Sequence, residues 1–343
     1  MTILIPGYTL TTGSQQWTSQ VVRLEVHLAA APLTGTLQAD LPAAAPLSAG
    51  VGDPVTLDLD GGEGGTRVFS GTVTALRQGP AGIRVHAVDA AGLLARLRPA
   101  TSYEQVNAVT VIRDLADQAG IDAGDVDDGV ALAWYPADPA RTGLDHVSRL
   151  CAWSGALARV DAEGRLVATA VAATQAELAL RYGREVLAVE QTGRRRDVEG
   201  FTVAGEAGAG STDSPDALRP TSDFFAGNRP EGPDGTHRWA FEPALRSTEA
   251  AAAAGAAAGW RYAAGGTVGR LTAFLQPTLR PGTVIEIADL PGPLSTAPVW
   301  LDRIRHRVSA GEAVTTARMY AGGPPAGDLL GSLTGALAGA LGL

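Results

Sequence analysis

The residues best placed to do chemistry lie in one stretch, LDRIRHRVSAGEAVTTARMY (Leu301–Tyr320). It holds four Arg and one His in twenty positions of a chain whose formal net charge is −9. A histidine among guanidinium groups could move a proton or help hold a phosphate. The same residues also suit a β-hairpin with its charges on one face. Side chains alternate along a strand, so Trp300, Asp302, Ile304, His306 and Val308 share one face. Leu301, Arg303, Arg305 and Arg307 share the other. The first face is mainly apolar and can pack on a core. The second carries three Arg spaced about 7 Å apart. Such a row repels itself unless it is solvated or meets carboxylates of a neighbour. The alternation therefore places His306 toward the core and makes Arg303, Arg305 and Arg307 a candidate subunit interface.

Other catalytic or binding motifs are not found. The five His (27, 86, 146, 237, 306) are far apart, with no HExxH and no CxxC for zinc. DAGDVDDG (122–129) hints at a calcium loop, but its Gly is misplaced after Asp125, and position 12 of such a loop would be Pro136. It reads as an acidic loop. GEAGAGS (205–211) lacks the Lys and the following helix of a phosphate loop. TGRRRD (192–197) reads as a solvated turn. There is no G-x-S-x-G elbow, and glycosidase carboxylate pairs are spatial rather than sequential. The single cysteine, Cys151, falls on the apolar face of a helix and reads as a small buried hydrophobe. No enzyme activity, metal or cofactor is expected.

Composition bounds the rest. With 343 residues, 45% hydrophobic, the chain can fill two or three domain cores. All 27 basic residues are Arg, in keeping with the codon bias of a GC-rich genome. The acidic balance gives no global field to hold nucleic acid, and basic residues do not interleave with aromatics. Specific nucleic-acid binding is not expected. MTILIPGYTL lacks the basic and long apolar regions of a secretory leader. The apolar run Leu329–Leu343 has fifteen residues, short of the roughly 20 that a membrane span needs.

Texture along the chain predicts an α+β, mainly β fold. Residues 1–99 read as a meander of about four or five period-2 strands with turns at DGGEGG and QGPAG. Residues 100–183 read as a small α+β unit. One helix follows Asn107 as N-cap and stops near Gly120. A second runs from Thr142 to Gly155, and ALARVDAEGRLVATAV forms a hairpin. The β pattern returns over 184–322, interrupted by a long polar loop at 209–237 and by RSTEAAAAAGAAAGWRY, helical by propensity. Residues 323–343 are a linker and an apolar tail. Leu330, Leu333, Leu337 and Leu341 recur there at helical spacing, a candidate segment for ordering against a partner.

The two β regions echo each other. GDPVTLDL, a loop and VFSGTVTALRQGPAGIRVHAVDA in the first match PGTVIEIADL, a loop and VWLDRIRHRVSAGEAVTTARMYA in the second. In both, a Gly-led strand precedes a long hairpin with a Gly-containing turn.

The order of these pieces resembles the tail hub proteins of contractile phages and related injection systems. That family includes phage late control protein D and the N-terminal hub part of type VI secretion spike proteins. The resemblance rests on GDPVTLDL with VFSGTV (Phe69–Val73 as F-x-G-x-V), VTVIRDLADQAGI, LDHVSRLCAWSGALARVDAEGRLV (144–167), LRPGTVIEI (279–287) and the Leu301–Tyr320 stretch. It covers about the first 320 residues. It implies two tube-like antiparallel β-barrel domains flanking the small α+β domain, and a homotrimer. Six barrels per trimer would join a hexameric inner tube protein to a trimeric spike, among other baseplate proteins. No β-helical or OB-fold extension follows the second β region, so the spike is expected to be a separate protein. Assembly is expected in the bacterial cytoplasm, before the protein enters a phage tail or injection particle. Alternative readings are a tail-associated cell-wall hydrolase and a carbohydrate- or receptor-binding β protein. The clustered aromatics that often mark such binding sites are not evident.

Overall fold

Alternating burial turns the first region into seven strands: β1 (Gly7–Thr12), β2 (Gln15–Trp17), β3 (Arg23–Ala29), β4 (Thr36–Leu41), β5 (Pro54–Asp60), β6 (Gly65–Gly79) and β7 (Gly82–Asp89). The computed structural model describes residues 6–171, 175–194, 200–205, 237–292, 294 and 297–321. Four or five strands were expected here. The hairpin of β1 and β2 is Thr- and Gln-rich, which hides its pattern, yet Leu10, Thr12 and Trp17 are all buried. Trp17 Nε1 donates to Thr12 Oγ1 at 3.3 Å, so the polar groups are paired rather than orphaned.

The middle unit follows the one-turn helix α1 (Ala91–Leu94). It contains β8 (Thr101–Asn107), α2 (Ala108–Gln118), β9 (Ala123–Val126), β10 (Ala131–Ala137), α3 (Gly143–Ser154), β11 (Ala156–Val160) and β12 (Leu166–Ala170). Thr142 caps α3 through a capping box with Asp145, and Gly155 closes it at φ 68°. Asn107 occupies the N-cap of α2 without a side-chain cap bond. The acidic stretch 122–129 is not all loop: β9 lies parallel to β12, because main-chain pairing does not require apolar side chains.

The second β region holds β13 (Leu178–Arg181), β14 (Val186–Gly193), β15 (Gly200–Gly205), β16 (His237–Glu242), α4 (Thr248–Ala264), β17 (Thr267–Phe274), β18 (Val284–Ala288), β19 (Val299–Ser309) and β20 (Glu312–Ala321). The fold is thus α+β and mainly β. Val203 of β15 and Ala250, Ala251 and Ala254 of α4 join the apolar cluster of the middle unit, with Leu115, Val147 and Leu150. Arg261 of α4 fixes that docking by donating to the Cys151 and Ala156 carbonyls.

The two β regions share one strand order. In the first, hydrogen bonding runs β3–β4–β7–β6–β5–β1; in the second it runs β14–β17–β20–β19–β18–β13. The only change of direction is at the end, where β1 is antiparallel to β5 and β13 is parallel to β18. Equivalent core positions match as well: Leu37 and Ala39 in β4 correspond to Leu271 and Ala273 in β17, all buried. The sequence echo is therefore a topological repeat. The halves join edge to edge through β3 and β19 in one 13-stranded sheet, and a single apolar cluster spans both.

Candidate functional site

The seam between the halves is built by β19. Its first residues, Val299 and Trp300, pair with β18. From Arg303 to Ser309 the same edge pairs with β3 instead. A β-bulge between Leu301 and Arg303 marks the change of partner. It also shifts the side-chain alternation. Leu301 was expected beside the Arg row but is fully buried, while Asp302 was expected on the core face and is only partly buried. Beyond the bulge the expected alternation holds. Ile304, His306 and Val308 are buried, and Arg303, Arg305 and Arg307 point to the other face.

His306 belongs to the core. Its Nδ1 lies 2.8 Å from Thr315 Oγ1, and Nε2 has no partner among the described residues. Burial, helped by the nearby Arg280 charge, pushes its pKa down to about 3. The ring is neutral and closed to solvent, so it cannot serve as an acid–base group for a substrate.

The Arg row is paired within the chain. Arg305 Nη2 lies 2.6 Å from Glu25 Oε1 on β3, across the seam. Glu25 also accepts from Arg23 Nη2 at 2.8 Å and lies 2.7 Å from His27 Nε2. Partial burial alone would raise the Glu25 carboxyl, but hydrogen bonds from Arg305, His27 and Arg23 outweigh it and hold the pKa at about 2. Arg307 pairs with Glu312 across the hairpin turn, and Arg303 lies 3.5 Å from Asp302. Asp302 is raised by burial despite Arg303 and Arg318. Glu25 was not singled out from sequence. Its signal was available, since Arg23, Glu25 and His27 alternate with the buried Leu24, Val26 and Leu28. What was missing was the knowledge that β3 is the neighbour of β19.

The ends of β19 and β20 carry an aromatic stack. Trp300 and Tyr320 are stacked at 4.7 Å, Trp260 of α4 lies 5.7 Å from Trp300, and Arg318 covers Tyr320. The seam is further tied by Arg280, whose guanidinium donates to the Pro277, Leu279 and Arg67 carbonyls. It thereby links the second half to β6 of the first.

Elsewhere, buried polar groups have structural work. Asp89 accepts from the Gly35 and Ala91 amides, and burial raises its pKa to about 7. Cys151 is buried and pushed up to about 12 by desolvation, as befits an inert hydrophobe. No cluster of His, Cys, Asp and Glu able to hold a metal occurs among the described residues. No helix among them is long and apolar enough to cross a membrane. The 209–237 loop falls outside the described residues except at His237, where β16 begins. Leu330, Leu333, Leu337 and Leu341 fall outside them entirely.

Two halves of like strand order, joined edge to edge through β3 and β19, thus frame the molecule. The family model for the phage tail baseplate hub (GPD) matches residues 19–312, and the chain belongs to that family. Two tail proteins of known structure are similar over nearly their whole length. One is the 43 kDa tail protein of prophage MuSo2 from Shewanella oneidensis, with 15% identity, 92% of this chain and 98% of that chain covered, and a TM-score of 0.68. The other is the tail protein from Neisseria meningitidis MC58, with 12% identity, 93% and 97% covered, and a TM-score of 0.70. A type VI secretion component from E. coli, described as structurally similar to the T4 bacteriophage tail proteins gp27 and gp5, is also similar. It has 12% identity, 90% of this chain and 76% of that chain covered, and a TM-score of 0.59. No curated protein matches the chain. As a member of this family the protein is a structural component of a tail baseplate, associated with other tail components.

Proposed function

We propose that the protein is a non-enzymatic symmetry adaptor: a homotrimer that joins a hexameric inner tube above to a trimeric spike below. The observation that carries this reading is the repeat of strand order within one chain. Three copies with two like halves present six like units to a sixfold tube, while keeping threefold symmetry for a spike. On this reading residues 1–99 and 184–322, with β13 (Leu178–Arg181) added to the second, supply the tube-like barrels, and the rest of 100–183 supports them from outside. The chain assembles in the bacterial cytoplasm with a separate spike protein and other baseplate proteins.

The Arg303, Arg305 and Arg307 row and the Leu330, Leu333, Leu337 and Leu341 segment are its proposed contact elements. Arg303 is the most solvent-open of the row. Sedimentation should give a particle of about 105 kDa, three times the 35.0 kDa chain. A chain that stays monomeric and binds neither tube nor spike protein overturns the reading. Deleting 328–343 should abolish co-purification with the spike. Unchanged binding removes the Leu segment, and a triple Arg→Ser variant that still assembles with tube and spike removes the Arg row.

A further inference from the structure

The outer face of the second half carries a row of arginines that runs across strands rather than along one. Arg270 of β17 lies directly opposite Arg318 of β20, and Arg318 lies directly opposite Arg303 of β19. Neighbouring strands are about 4.7–4.9 Å apart, so three guanidinium groups start side by side over roughly 10 Å. Their chain neighbours Leu271, Ala317 and Ile304 are buried, which turns all three arginines to the other face. Arg303 and Arg318 are 53% and 39% exposed, and Arg270 is exposed as well. Among the described residues the one carboxylate that meets them is Asp302, 3.5 Å from Arg303 and 4.0 Å from Arg318. Both distances exceed those of a charge-assisted hydrogen bond. Glu190 of β14 lies opposite Arg270, yet no ion pair joins the two among the described residues. Like charges directly opposite on a sheet are destabilising. The row thus costs the isolated chain stability and leaves guanidinium donors open.

The first half does without such a row. The register that matches Leu37 with Leu271 also matches Thr36, Val88 and Thr72 with Arg270, Arg318 and Arg303. All three counterparts are uncharged. Arg67 and Arg84, exposed on the first half, are each met by a carboxylate at 2.6 Å, from Asp58 and Asp40. We propose that the Arg270–Arg318–Arg303 row is a docking site for a carboxylate-rich segment of a protein partner. Each guanidinium is a planar fork that matches a carboxylate. Carboxylates about 5–6 Å apart, as at i and i+4 of a helix, fit the cross-strand spacing. A nucleic-acid strand fits less well, because it needs open aromatic faces for its bases. Tyr320, the ring beside the row, already stacks on Trp300 and is covered by Arg318. Unbroken phosphate charge is also repelled more strongly than a few carboxylates by a chain of net charge −9. The inference deepens the contact role proposed for Arg303 and rests on it, but not on the trimer. It moves that contact from the length of β19, where Arg305 and Arg307 already pair with Glu25 and Glu312, to a line across three strands.

The test uses the full chain with two fluorescent probes, a peptide of eight glutamates and a single-stranded oligonucleotide of eight thymidines. At low salt the peptide should bind, and its affinity should fall as salt is raised. Arg270→Ser with Arg318→Ser should weaken that binding at least tenfold. Arg77→Ser with Arg96→Ser removes the same charge from two exposed positions of the first half and should change it less than twofold. Arg270→Ser alone, which breaks no ion pair among the described residues, should still weaken it at least threefold and serves if the double variant fails to fold. Equal weakening in the two double variants would mean general charge attraction and overturn the site. Tighter binding of the oligonucleotide, lost in the row variant, would overturn the carboxylate partner, as would a parent chain that binds neither probe. If Arg303→Ser weakens binding but Arg270→Ser with Arg318→Ser does not, the row fails while the contact role of Arg303 stands. Particle mass enters none of these outcomes, so the trimer reading is decided separately by sedimentation.

Discussion

The two halves have the same strand order, yet their equivalent hairpins carry different side chains. In β19 the inward positions are Ile304, His306 and Val308, and the outward ones are Arg. In β6 the corresponding stretch is Val73, Leu76 and Gln78, with Ala75 and a single Arg77 facing outward. The difference follows the neighbour rather than the barrel. β19 is covered by β3, which brings Glu25, and Arg305 is balanced across that seam. From Thr74 onward β6 has no such neighbour among the described residues, and its edge carries fewer charges. Equivalent strands thus share what their own half needs and differ in what the adjacent half demands.

That comparison can be broken most forcefully in the core. Leu37→Ala and Leu271→Ala remove equivalent, fully buried side chains from the two halves. Each should cost about 2–5 kcal/mol. Because one apolar cluster spans both halves, denaturant unfolding should remain a single transition in either variant. Two separate transitions would mean that the halves are independent.

The next effect belongs to the seam. Glu25→Gln should destabilise by on the order of 1–2 kcal/mol, since Arg305 is left partly buried beside a neutral group. Placing Glu at Ala188, the equivalent and exposed position on β14, should cost little. Glu25 is held below its ordinary value of 4.5, so its contribution is complete above that pH. It disappears as pH falls toward about 2. A urea midpoint measured over this range should fall in the parent and be flatter in Glu25→Gln.

His306 and Leu76 sharpen the comparison further. His306 is held below its ordinary 6.5, so below that pH the unfolded chain binds a proton that the folded chain refuses. The folded state therefore loses stability as pH drops from 6.5 toward 3, by on the order of 1 kcal/mol near pH 5.5. His306→Leu, which copies the first half, should remove that slope in a thermal-melt series. The smallest effect concerns the exposed charges. Arg77→Ser should change the stability of a dissociated chain by less than about 0.5 kcal/mol. Arg305→Ser should cost more, because its partner Glu25 is only 14% exposed.

Much of this was legible locally. Thr142 and Gly155 bracket α3 because capping chemistry is set by residues within one turn. The alternation from Ile304 to Val308 placed His306 inward before any neighbour was known. The resemblance to baseplate hubs was carried by the order of such pieces. The hairpin of β1 and β2 was not legible, because Thr12 is buried through a hydrogen bond that an apolar count cannot see. The bulge at Leu301 was not legible either, since one extra residue reverses alternation without changing composition.

The sequence by itself determined most of the elements, the cap and stop of α3, the repeat of two β regions and the family. Those depend on periodicities of two and 3.6 residues and on short-range bonds. Only the tertiary structure decided that β3 lies beside β19, that Glu25 balances Arg305 from 280 positions away, and that the first turns of α4 pack on the middle unit while Trp260 stays against its own half. A strand carries the same hydrogen-bonding groups on both edges whatever its side chains, so its pattern fixes the face that is buried but not the strand that will cover its edge.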